Sequence, residues 1–193
     1  MSGERRRSCI FISPTGVDHE NKKGRYPVQV DSEGRRLEAL RALDALDVEE
    51  PDARFSSMVL IAQHWFDLPM VSITLVDADR QWRVASYGPL ARQTGLEGAI
   101  CPVAMHAEDL FVVGDTAQDP RFAPAEDAVG PVVRFYAGAP LHAPTGEAVG
   151  SFCVMGPRPR SFSRADRDVL EDLGRWVEIE LGRGVRPQTR TTP

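Results

Sequence analysis

The stretch that decides the fold is Met70-Val-Ser-Ile-Thr-Leu-Val-Asp77, followed by Ala78 and then by Asp79-Arg-Gln-Trp82 and the residues on to Tyr87. Val71, Ile73 and Leu75 alternate with Ser72, Thr74 and Val76, the period of two that puts successive side chains on opposite faces of a strand. Ala78-Asp79 is a short turn signal, so Gln81 to Tyr87 reads as a returning strand and the pair as a hairpin. Four further pieces follow in order. They are Ile100-Cys-Pro-Val-Ala-Met105, Val113-Gly-Asp-Thr-Ala-Gln-Asp-Pro-Arg-Phe122, Val133-Arg-Phe-Tyr-Ala-Gly-Ala-Pro-Leu141 and Gly150-Ser-Phe-Cys-Val-Met155.

Working outward, Gly88 to Gly98 reads as a loop. Ile100 to Ala107 reads as a short helix with Pro102 in its first turn. Leu110 to Val113 is a short strand, and Gly114 to Val132 a long irregular stretch of the kind often used for function. Arg134 to His142 and Ala148 to Met155 are strands joined by the turn Pro144-Thr-Gly-Glu147. Upstream, Leu37, Leu40, Leu43 and Leu46 mark the apolar side of a first helix that begins near Asp31-Ser32. A second helix starts at Pro51-Asp52, with Phe55, Met58, Val59, Ala62, Trp65 and Phe66 as its stripe. Downstream, Ser163 and Asp166 resemble a capping box. Val169, Leu170, Leu173, Trp176, Val177 and Leu181 give the last helix its apolar side, and Gly182 and Gly184 end it. Hairpin-joined strands with helices at both ends imply an α+β domain with an antiparallel sheet and a helical layer.

Composition sets the bounds. A chain of 193 residues, 42% hydrophobic and 26% charged, fits one globular domain with tails. No apolar run approaches the ~18 residues of a membrane span, and the start lacks a secretory apolar segment, so the expected location is cytoplasmic. Three cysteines at wide spacing point to reduced thiols rather than a disulfide framework. The net charge of −5 argues against nucleic acid as a partner. Residues 1–30 carry six basic against three acidic residues and read as a flexible basic tail. The expected domain is 31–182, and 183–193 a second flexible tail.

The five pieces, in that order, resemble the GAF domain family, and specifically single bacterial sensor-type GAF domains, over about Asp31 to Leu181. Asp77 with Asp79 to Trp82 is similar to the family's strand–turn–strand signature. Asp115 with Asp119-Pro-Arg-Phe122 is similar to its central loop, and residues 134–141 and 150–155 to its paired final strands. The resemblance implies a six-stranded antiparallel sheet. It implies first and last helices packed together on one face, often mediating dimers, and a ligand pocket on the other face under short helices and loops. Relatives bind cyclic nucleotides, haem, bilins or small metabolites, or only dimerise, so the family name fixes neither ligand nor cofactor. The chain also departs from its relatives. Cys101 aligns with the family's roof cysteine, but the usual histidine position is Val103, and His106 lies three residues further on. The phosphodiesterase-type Asn-Lys-X-Phe-Asp-Glu signature is absent, as is a bilin-attachment Cys-His segment.

On these grounds the expected ligand contacts are Trp82, Cys101, Met105, Asp115, Phe122, Arg134 and Tyr136. Cys101 begins a short helix, where a thiolate is favoured. Trp82 follows a tight turn and offers a stacking surface, or else packs at the sheet edge. Arg134 and Tyr136 alternate with Phe135 and share a face. Arg134 would clamp an anion or else pair with Asp115 or Asp119. Cys101 and Cys153 are the redox candidates, with core packing the competing reading for each. The acids Asp115, Asp119, Glu126 and Asp127 lack EF-hand spacing, so no metal is expected. No catalytic constellation accompanies these residues. The expected protein is a non-catalytic sensory module with a small-molecule ligand, a homodimer contact and a separate signalling partner. The alternatives are a thiol enzyme of the free methionine sulfoxide reductase type and a ligand-free dimerisation module.

Overall fold

A computed structural model describes residues 32–50, 53–122 and 132–184. Helices α1 (Ser32–Ala42) and α2 (Ala53–Phe66) precede strands β1 (Met70–Val76), β2 (Arg80–Tyr87) and β3 (Gln93–Gly95). The short helix α3 (Cys101–Ala104) and β4 (Phe111–Val113) follow. Then come a 3-10 turn at Thr116–Gln118, β5 (Phe135–His142), β6 (Ala148–Gly156) and the long helix α4 (Arg164–Arg183). The six strands form one antiparallel sheet in the order β3-β2-β1-β6-β5-β4.

The period-two pattern of β1 divides the molecule into two layers. Val71, Ile73 and Leu75 join Phe135, Ala137, Phe152 and Val154 beneath α1, α2 and α4, the larger core. Val76, Tyr136, Cys153 and Met155 face the other way and pack with Cys101, Ala104 and Met105 of the α3 segment. Helix α2 seats Phe55, Val59, Ala62 and Phe66, and α4 seats Leu170, Leu173, Val177 and Leu181. These i, i+3/i+4, i+7 positions form one stripe on each helix.

Trp65 and Trp176, expected on those stripes, are instead 59% and 56% exposed. Each lies one position from the seated residue, about 100° round the helix. Helix α1 ends at Ala42, so Leu43 and Leu46 lie beyond it. The chain turns because Asp44 and Asp47 take left-handed backbone (φ 52° and 57°), which Asp tolerates. Leu43 is buried all the same, and Arg80 grips Asp47 through two hydrogen bonds of 2.8 and 2.6 Å. Buried Arg36 ties α1 to the sheet, donating to the Val76 carbonyl at 2.6 Å while Glu33 accepts from its other edge.

The stretch 88–98, expected as a loop, contains β3, the sixth strand. Gln81 and Thr94 are partners across it. Three residues carry too little alternation to read from sequence, and only the pairing with β2 defines them as a strand. The expected hairpin turn between β5 and β6 forms as read, with Gly146 at φ +98°. Ser163 and Asp166 make the expected reciprocal capping box of α4. The tail reading of residues 1–30 lies outside the described residues, as do the second-helix start at Pro51-Asp52 and the acids Glu126 and Asp127.

Candidate functional site

The second face of the sheet has a polar lining. Ser72, Thr74 and Ser151 are all fully buried there, and cross-strand pairing sets Ser72 beside Cys153 and Thr74 beside Ser151. Buried hydroxyls of this kind need partners. Ser72 Oγ and Thr74 Oγ1 meet at 2.8 Å, and the Tyr136 hydroxyl and Ser151 Oγ at 3.0 Å. Gly138 makes room for this. A Cβ there would lie 2.6 Å from both the Ser151 and the Tyr136 oxygens.

Helix α3 lowers Cys101 onto this layer. Its Sγ stands 3.9 Å from Cys153 Sγ, and both cysteines are free thiols. The Tyr136 hydroxyl donates to Cys101 Sγ at 3.5 Å, and the single Cys153 S–H donates either to the Ser72 carbonyl, at 3.5 Å, or to a Cys101 thiolate. The Cys153 thiol is the main stabiliser of a Cys101 thiolate. Its hydrogen bond outweighs burial, and Tyr136 and the positive charge of Arg83 add to it, so the Cys101 thiol is lowered to about 7. The same contact, with burial, pushes Cys153 well above the usual thiol range. Burial, and then the nearby thiols, push Tyr136 up as well. The pair is therefore polarised, with one thiol ready to ionise and its neighbour a donor.

Beside these thiols a cavity of about 620 Å³ opens between the sheet and the segments that cover it, a size typical of small-molecule sites. Cys101, Phe122 and Tyr136 line it, with Thr74, Gln81, Arg83 and Thr94 from β1, β2 and β3. Leu90, Ile100, Val133 and Met155 add apolar wall.

Three of the seven expected contacts are therefore on the wall: Cys101, Phe122 and Tyr136. Met105 is packed in the roof core behind it. Asp115 and Arg134 form a bidentate pair with distances of 2.7 and 2.8 Å, the ion-pair alternative for Arg134. That guanidinium holds the Asp115 carboxyl below the usual carboxylate range. Asp115 also accepts from the Ala117 amide, and Thr116 donates to the Val133 carbonyl. Together these contacts fasten the start of the long loop to the segment leading into β5. Asp119 is held by Arg121 rather than Arg134.

Trp82 lies on the opposite face of the sheet from the cavity. It pairs with Leu75 and packs against the helical-layer core, with the guanidinium carbons of Arg80 and Arg92 at 5.6 and 5.0 Å from its ring centre. The hairpin register is the reason. Val76 pairs with Gln81 and Thr74 with Arg83, so Gln81 and Arg83 share the cavity face and Trp82 points away. A bulge at Val84 then resets the alternation, leaving both Val84 and Ala85 in the helical core. Gln81, Arg83, Thr74 and Thr94 were not among the contacts expected from sequence. Counting register outward from the Ala78-Asp79 turn was the signal available for the first three.

Among the described residues no group of three or more His, Cys, Asp or Glu side chains lies close enough to hold a metal. No helix among them is long and apolar enough to cross a membrane.

Comparison with known proteins agrees with this architecture. A GAF domain family model matches residues 6–181. The cyclic di-GMP phosphodiesterase of Pseudomonas aeruginosa is 36% identical over 159 residues, a match taking in 81% of this chain and 26% of that protein. The chain thus spans about a quarter of the curated relative it matches. The free methionine-R-sulfoxide reductase of Neisseria meningitidis, solved with its substrate, superposes with a TM-score of 0.56 at 21% identity, over 79% of this chain and 93% of that one. The GAF domain of an Acinetobacter phosphoenolpyruvate-protein phosphotransferase gives 0.57 at 17% identity, over 77% and 94%. At such identities the structures bear on the fold, whereas the family model covers most of the chain. On the strength of that match the chain belongs to the GAF domain family.

Proposed function

We propose that this GAF domain is a non-catalytic regulatory module. A small molecule binds between sheet and roof and biases a contact made by the helical layer. The observation carrying this reading is the cavity of about 620 Å³ bounded by Cys101, Phe122 and Tyr136. Regulation requires the ligand to bind two states of the module unequally. The roof is suited to that, because α3 is a single short helix joined to the sheet through Cys101 and Tyr136. The output contact is a homodimer through the outer faces of α2 and α4. Ile61, Trp65, Trp176 and Ile179 are exposed there on helices tied together by the Arg54–Glu180 pair. The match to a quarter of a cyclic di-GMP phosphodiesterase supports a regulatory role beside an output activity. The test is native mass spectrometry of the untreated protein together with its absorption spectrum. Mass above that of the chain, lost on denaturation, is the expected result. A bare chain that no metabolite panel stabilises would favour the dimerisation module instead.

One observation favours a second reading, the 3.9 Å separation of Cys101 and Cys153. Two thiols can reduce a free sulfoxide such as methionine sulfoxide, giving the thioether, water and one disulfide. Incubation with methionine sulfoxide would then consume two thiols per sulfoxide, and Cys101→Ser would abolish the loss. Unchanged thiol content removes this reading.

A further inference from the structure

Four arginines show how this protein uses the guanidinium group. Arg36, Arg121 and Arg134 each turn the Nε–Nη2 edge onto a carboxylate, on Glu33, Asp119 and Asp115 respectively, with both bonds between 2.6 and 2.9 Å. Arg83 is the exception. Its Nη1 donates to the Ala91 carbonyl and, at 3.4 Å, to Thr94. Its Nε is buried without a hydrogen-bond partner, and no carboxylate among the described residues pairs with it. Yet Arg83 is only 8% exposed and lies on the cavity wall. Burying a guanidinium without a counter-charge is costly, and the cost falls when an anion meets it. Its neighbour Gln81 shows a complementary feature. Nε2 donates to Thr94 at 2.6 Å while Oε1 is buried without a partner.

The rest of the wall fixes the shape of the partner. Thr74, Gln81, Arg83 and Thr94 sit on β1, β2 and β3, one half of the sheet. Phe122, Val133 and Met155 lie at the half formed by β6 and β5. We propose that the cavity selects an amphipathic small-molecule anion. A carboxylate or phosphate head pairs with the Arg83 guanidinium on the cavity wall, a ligand N–H or O–H pairs with Gln81, and an apolar body lies toward Phe122 and Met155. This rests on the reading of the cavity as a ligand site and adds the ligand's class. The charge of Arg83 also favours a Cys101 thiolate on the same wall, so that thiolate is the competing counter-charge.

Titration calorimetry with 4-phenylbutyrate and phenyl phosphate, against neutral 4-phenylbutyramide, tests the class and separates the two head groups. The expected result is a preference of about tenfold or more for one anion over the amide, the scale of one charge-assisted hydrogen bond. Arg83→Gln should erase that preference, and Arg83→Lys, which keeps the charge but loses the fork, should keep part of it. Cys101→Ser should leave it in place. If the wild type shows no preference and one emerges only in Cys101→Ser, the thiolate rather than a ligand anion is the group Arg83 serves, and the proposal falls. Equal binding of anions and amide overturns the anion class and leaves the cavity reading standing. No binding of any of the three overturns both. Should Arg83→Gln fail to fold, Gln81→Glu supplies an internal carboxylate beside Arg83. It should raise the melting temperature and abolish the preference, and an unchanged preference would sink the proposal.

Discussion

Cys101 shows how one residue's chemistry depends on neighbours brought from far along the chain. Cys153 and Tyr136 reach it from adjacent strands 52 and 35 positions away, at 3.9 and 3.5 Å. Their hydrogen bonds favour the thiolate, so the folded thiol lies below its ordinary value of 9.0, at about 7. The sign of the linkage follows. A lowered acid stabilises the fold in the alkaline direction, fully above pH 9, and that contribution fades as pH falls through about 7. A pH titration followed by thiolate ultraviolet absorbance should show one thiol ionising near 7, missing in Cys101→Ser. Tyr136→Phe removes a bond that lowers this pKa, so the midpoint should rise. A midpoint that stays put would mean that the hydroxyl does not act on the sulfur. Cysteine, tyrosine and serine were all visible in the sequence at these positions, but their meeting was not, because nothing local encodes a contact across that separation.

Helix α4 is the element most fully written in its own sequence. Ser163 and Asp166 cap it reciprocally, and the stripe Leu170, Leu173, Val177 and Leu181 seats it on the sheet. Gly174 lets it lie close, since a Cβ there would stand 2.8 Å from that of Ala139. Ser163→Ala should cost about 1 kcal/mol in urea unfolding. A loss below a few tenths would mean that the cap is not needed in this context. The turn signals and the period-two runs of β1, β5 and β6 were equally local and equally legible. Strand β3 was not, because three residues become a strand only through pairing with β2. Trp65 and Trp176 were misplaced for a related reason. An apolar arc on a helix can be wider than the part its neighbours cover, and only the packing says where cover ends.

At the scale of the whole molecule, the two faces of the sheet divide the work. One carries the helical layer with its exposed tryptophans, the other the cavity. If the outer helical face holds two copies together, Ile61→Glu with Trp176→Glu should halve the mass measured by light scattering and leave binding in the cavity unchanged. A mass that does not change would remove this face from the dimer proposal. The sequence by itself determined the α+β class, the family, the hairpins, the helices and the identity of the thiols, because caps, turns and periodicity act over a few residues. Only the tertiary structure decided that Trp82 faces away from the cavity, that Arg134 is committed to Asp115, and that Arg83 lies buried beside Gln81. The faces taken by Trp82, Gln81 and Arg83 depend on the register of β2 against β1, where a shift of one residue exchanges the two faces, and the Arg134–Asp115 pair depends on loop and strand meeting across 19 positions.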